Sequence, residues 1–136
     1  MNTIIALRGR ANSGKSTTIG LLFGLLGQNG YQPEWRNTAG RDFIAVFTKN
    51  GQRIGVTSSG DTYDLVHDRL EELVNDNCSI CVCACRTRGG TNEAIIEFTN
   101  YSNQFEKKMI DENGTTQATT NMNDAKKILS IIDSMI

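Results

Sequence analysis

The eight residues Gly9-Arg10-Ala11-Asn12-Ser13-Gly14-Lys15-Ser16 constrain the architecture of this chain more than any other stretch. Before them runs Thr3-Ile4-Ile5-Ala6-Leu7-Arg8, whose apolar residues predict a short buried strand. After them Thr17 to Gln28, rich in Leu and Ile, predicts a buried helix. A glycine-rich turn between a strand and a helix gathers consecutive backbone N–H groups at the positive end of the helix. Its two glycines permit backbone geometry and close approach that a Cβ would obstruct. Such a loop predicts a cradle for the phosphates of a nucleoside triphosphate or diphosphate, formed by Gly9, Arg10, Ala11, Asn12, Ser13, Gly14, Lys15, Ser16 and Thr17. Lys15 would reach the β- and γ-phosphates, and Ser16 would give an oxygen to Mg²⁺. The bland alternative is a turn that binds nothing.

The remaining patterning predicts a single domain over residues 1–136, with elements in the order β-α-β-β-α-β-α-β-α. Tyr31 to Arg41 has no periodicity and predicts a loop beside the phosphate site, in which Tyr31 and Trp35 either stack on a base or anchor the loop. Asn50-Gly51 between Phe43–Thr48 and Arg53–Thr57 predicts an antiparallel hairpin, at about residues 43–57, on the edge of a mostly parallel sheet. Tyr63, Val66, Leu70, Leu73 and Val74 recur at helical spacing, with Asp61 as the expected cap, paired with Asp64. Thr91 would cap a helix carrying Ala94, Ile95, Phe98 and Tyr101. Phe105 to Ile110 predicts a weak strand and Asn113 to Asn121 a loop. A last amphipathic helix would begin at an Asn123 cap and carry Ala125, Ile128, Leu129 and Ile132.

Cys78, Cys81, Cys83 and Cys85 invite a metal reading, but the last three alternate along a predicted strand, on one face and at spacings too regular for a closed chelate. They are read as buried reduced core residues. His67, amid charged neighbours, is read as part of a solvated helix face. A net charge of −1 gives no electrostatic footprint for nucleic acid. No apolar run approaches the ~20 residues of a membrane span, and no secretory leader is visible. A cytoplasmic protein is the expectation.

The Gly9–Ser16 pattern in its strand–loop–helix setting resembles the P-loop NTPase superfamily. That resemblance implies a three-layer α/β fold, Mg²⁺ as cofactor, and hydrolysis or transfer of a terminal phosphate. The hairpin after the first helix, and the Lys15-to-Thr57 interval, are similar in order and spacing to Ras-like small GTPases over Met1 to Asn103. Thr38 then falls in the region resembling switch I. Two motifs of that family are missing: Thr57-Ser58-Ser59-Gly60 replaces D-x-x-G, and Asp111-Glu112-Asn113-Gly114 stands where N-K-x-D would read guanine. Nothing in the sequence therefore selects GTP, and ATP is favoured.

Mg²⁺ keeps several waters and takes one or two carboxylates. The cysteine strand ends without an aspartate, so Asp61 is the candidate beside Ser16, as metal ligand or plain helix cap, with Asp42 behind it. Strand polarity aims Arg86 and Arg88 at the ligand side of the sheet. They would act with Lys15 as catalytic cations on a terminal phosphate or hold a second anionic substrate; an exposed basic turn is the alternative. The expected function is slow Mg²⁺-dependent hydrolysis of ATP by a switch or an assembly subunit, with a protein partner or a second copy. The alternatives are a small-molecule or nucleotide kinase and a nucleotide-binding sensor without turnover. Slowness follows from the absent acidic strand end and the lack of an obvious carboxylate base for water.

Overall fold

The computed structural model describes residues 2–39, 42–110 and 116–136. It is a mixed α/β structure with one six-stranded, mostly parallel sheet and four helices. In chain order the elements are β1 (Thr3–Arg8), α1 (Lys15–Gln28), β2 (Gln32–Ala39), β3 (Asp42–Lys49), β4 (Gln52–Thr57), α2 (Tyr63–Asn75), β5 (Ile80–Cys85), α3 (Gly90–Ile96), β6 (Ser102–Lys107) and α4 (Gln117–Met135). The strands lie in the order β2-β3-β4-β5-β1-β6. Pairings of β4 with β5, β5 with β1 and β1 with β6 are parallel, and those of β2 with β3 and β3 with β4 are antiparallel.

Period-two patterning sorts the central strands between two helix layers. Ile5 and Leu7 of β1 and Val82 and Ala84 of β5 face α1 and α4, where Ile19, Leu22, Leu26, Ala125, Ile128 and Ile132 complete one core. The alternate residues Ile4, Ala6, Cys81, Cys83 and Cys85 face α2 and α3, against Val66, Leu70, Leu73, Ala94 and Ile95. Every residue of β5 is buried, as a central parallel strand covered on both faces requires. Full burial of each Ile or Leu contributes about 1.5–3 kcal/mol, so these two faces dominate the stability of the sheet. All four cysteines are reduced and lie in the second core.

Several elements differ from the sequence expectation. The segment expected as a loop from Tyr31 to Arg41 contains β2, which extends the antiparallel part to three strands and takes the edge from the 43–57 hairpin. Pro33 sits at a bulge in that edge, where a missing N–H costs no ladder bond. α2 is capped by Thr62, whose hydroxyl accepts from the Leu65 N–H at 3.2 Å, and not by Asp61. α3 stops at Ile96, leaving Phe98 and Tyr101 beyond it but packed on the second core. β6 begins at Ser102, earlier than expected. α4 begins at Gln117 with Thr116 as cap, seven residues before the expected Asn123 cap. Gly40, Arg41 and the stretch Asp111 to Gly114 lie outside the described residues.

The topology collects the loops of interest at one end. β1, β4, β5 and β6 are co-directional, so residues after Arg8, Thr57, Cys85 and Lys107 emerge together. β3 runs the other way and therefore brings its first residue, Asp42, to that same end, with Thr38 beside Phe43 in register. β5, not β4, is the neighbour of β1 on this side, so the Thr57 turn reaches the Gly9–Ser16 loop from two strands away.

Candidate functional site

The loop after β1 closes around its own lysine. The Lys15 ammonium, 7% exposed as a residue, donates to the carbonyls of Gly9 at 2.7 Å and Arg10 at 2.8 Å. Burial pulls its pKa below the ordinary lysine value, while Asp61 pulls the other way and Arg86 adds to the lowering. Ser13 braces the turn by donating its hydroxyl to the Arg10 carbonyl at 2.7 Å. Gly14 caps α1 at a φ of +92°, and a Cβ there would lie 2.5 Å from Asn121 Oδ1. At Gly9 a Cβ would meet Ser13 Oγ at 2.8 Å and Lys108 Cβ at 2.9 Å, so the loop and its backing touch without room for a methyl group.

The first turn of α1 carries no acidic residue and no side-chain cap, so its positive end is not neutralised locally. It opens into a cavity of about 740 Å³ lined by Asn12, Ser13, Gly14, Lys15, Ser16, Thr17, Asp42 and Asp61. That volume lies within the ~300–1,000 Å³ typical of small-molecule sites. Seven of the sequence-derived site residues thus meet in one cavity. Gly9 and Arg10 contribute carbonyls to Lys15 from behind it, and Ala11 is exposed at the loop tip.

Arg86 does not line the cavity but bonds to Asp61, which does. Its guanidinium donates to the Asp61 carbonyl at 3.2 Å and lies 3.6 Å from the Asp61 carboxylate. Its backbone is fixed by the Thr91 hydroxyl and by Asn92, which also receives a bond from Arg8. Arg88 is exposed and does not line the cavity. Tyr31 and Trp35 are anchors: Tyr31 is buried with its hydroxyl on Asp133 at 2.6 Å, and the Trp35 indole donates to Asp76 at 2.7 Å. Those bonds, first from Trp35 and then from Arg53, hold the Asp76 carboxyl below the usual carboxylate range. His67 is half-buried between the rings of Tyr63 and Phe98, more enclosed than a solvated face.

Sequence reasoning missed the backing of the loop. Gln117 reaches the Ser13 carbonyl at 3.4 Å and Asn121 Oδ1 at 2.8 Å. Beneath them Lys108 and Asp124 form a buried ion pair at 2.8 Å, with Asp124 also accepting from the Met109 N–H. The polar run before Ala125 carries no helical stripe, so nothing in the sequence marks these residues as part of the site.

Mg²⁺ favours hard oxygen donors and few protein ligands. Ser16 and Asp61 supply such donors on one cavity, and this pair fits. Among the described residues no three His, Cys, Asp or Glu side chains converge as a metal cluster, and no helix is long and apolar enough to cross a membrane. Comparisons with protein-family models, curated proteins and solved structures found no match.

Proposed function

We propose that this chain binds a nucleoside triphosphate, ATP in preference to GTP, through the Gly9–Thr17 loop and hydrolyses it slowly with Mg²⁺, as a switch or an assembly subunit. The observation that carries this reading is the open 740 Å³ cavity at the uncapped N-terminus of α1, with the Lys15 ammonium poised on its wall. Ser16 and Asp61 would hold the metal, which supplies charge neutralisation to the terminal phosphates. Arg86, bonded to Asp61, would add positive charge where negative charge develops. β5 ends in Cys85-Arg86 without a carboxylate, which supports slow turnover. Asp111-Glu112-Asn113-Gly114 stands where N-K-x-D would read guanine, which supports ATP. A calorimetric panel of ATP, GTP and their diphosphates, each with and without Mg²⁺, tests the reading. Tightest binding is expected for ATP with Mg²⁺, and failure of all four nucleotides to bind removes it.

Asp61 offers a sharper check because its two sequence-level roles now separate. Thr62 holds the cap, so Thr62→Ala should cost about 1 kcal/mol of stability. Asp61→Asn should leave the melting temperature nearly unchanged while weakening Mg²⁺-dependent ATP binding, since the neutral amide lacks the charge that the metal or its waters require. Intact Mg²⁺ dependence in Asp61→Asn would remove Asp61 from the site.

A further inference from the structure

A second cavity, of about 260 Å³, adjoins the first and is lined by Asn37, Thr38, Asp42, Phe43, Ile44, Arg69 and Glu72. Asp42 lines both. Its carboxylate is oriented from one side: the Phe43 N–H donates to Ser58 Oγ at 3.0 Å, and the Ser58 hydroxyl donates to Asp42 Oδ1 at 3.1 Å. Oδ2 has no partner among the described residues. The arrangement is a carboxylate held by one oxygen on the partition between a large cavity and a small one. The small cavity cannot hold a nucleotide; its volume falls below the ~300–1,000 Å³ of sites that enclose drug-sized ligands. Phe43 and Ile44 give it an apolar wall, and Asn37 and Thr38 a hydrogen-bonding rim.

Its charge selects the occupant. Among the described residues that line it, two carboxylates stand against one guanidinium, and Arg69 is already paired with Glu72 at 3.0 Å. An anionic compound would meet a net negative wall, whereas an uncharged or cationic one would not. We propose that this cavity is a phosphoryl-acceptor site for a small alcohol of neutral or positive charge, with Asp42 as the catalytic base. This rests on the triphosphate reading of the larger cavity. In the step, the acceptor hydroxyl oxygen attacks the γ-phosphorus and a new O–P bond forms. The bond from that phosphorus to the β–γ bridging oxygen breaks, its electron pair leaving with the nucleoside diphosphate. The hydroxyl proton passes to Asp42 Oδ2, with no change in oxidation state. Proton transfer to a positioned carboxylate contributes on the order of 10²–10⁴-fold.

The experiment incubates the protein with ATP and Mg²⁺ and with glycerol, ethanolamine or glycerate, and follows phosphate-ester formation by ³¹P NMR beside calorimetric ATP binding. Esters of glycerol and ethanolamine are expected, in preference to that of glycerate. Asp42→Asn should lower transfer at least about 100-fold, far beyond any change in ATP affinity. Glu72→Gln, an exposed change that frees Arg69, should raise the KM for ethanolamine and lower it for glycerate. Absence of both esters from a wild-type protein that binds ATP overturns the proposal, as does glycerate accepted equally well. Loss of Mg²⁺-dependent ATP binding in Asp42→Asn, to the same degree as transfer, makes Asp42 a metal ligand and overturns it too. A wild-type protein that binds no ATP sinks the triphosphate reading itself.

Discussion

Asp124→Ala is expected to lose about 3–5 kcal/mol of stability in equilibrium urea unfolding, the scale for stranding a buried charge. The Lys108 side chain has no exposure and that of Asp124 only 7%, so neither charge can turn to water when its partner goes. Removing the carboxylate leaves the ammonium with one carbonyl, that of Met109, and also strips the Met109 N–H of its acceptor. Replacing both residues by apolar ones of similar volume, Lys108→Met with Asp124→Leu, should be far milder, because buried pairs contribute little net stability over a packed apolar pair. The loss should also be felt in ligand binding, since the Lys108 stem abuts Gly9, whose carbonyl holds Lys15. A loss below about 1 kcal/mol for the single variant would mean that water reaches the pair.

Lys15→Ala should weaken ATP binding by about 1.5–3 kcal/mol, or about 10- to 150-fold, the range for a hydrogen bond to a charged group. In the free protein the ammonium is occupied by two carbonyls of its own loop, so binding exchanges neutral acceptors for anionic ones. Lys15→Arg is expected to fail as well, because a planar fork cannot occupy a space shaped by the Gly9 and Arg10 carbonyls. Triphosphate affinity unchanged in calorimetric titration of Lys15→Ala would show that the loop is only a turn.

What the sequence revealed follows from where hydrophobic patterning was strong. β1, β5, α1 and α2 are buried on whole faces, and period and composition mark them. β2 escaped because Gln32 to Thr38 is an edge strand whose residues are mostly exposed, so no alternation was required of them. The first turns of α4 escaped for a related reason: they pack on a loop through Asn121 and Gln117, polar contacts that leave no apolar stripe. Asp61 and Thr62 are adjacent and both chemically able to cap, so chain order could not choose between them. The turn from Gly9 to Gly14 between β1 and α1 was legible because its spacing is local. The partition at Asp42 was not, since it depends on an antiparallel β3 delivering its first residue to the ends of its parallel neighbours.

The central strand carries one last consequence. Cys81, Cys83 and Cys85 have no solvent exposure, and their thiol pKa values are raised, for Cys83 chiefly by burial and for Cys81 first by its contact with Cys78. A thiol-specific reagent needs both access and the thiolate, and the folded sheet denies it both. Fraying of the outer strands β2 and β6 uncovers none of these sulfurs, because β5 is flanked by β4 and β1. An opening that lifts α2 and α3 from that face of the sheet exposes them. The chain therefore contains its own clock: the rate at which these sulfurs react counts departures of the α2–α3 layer from the sheet and ignores restlessness at the margins.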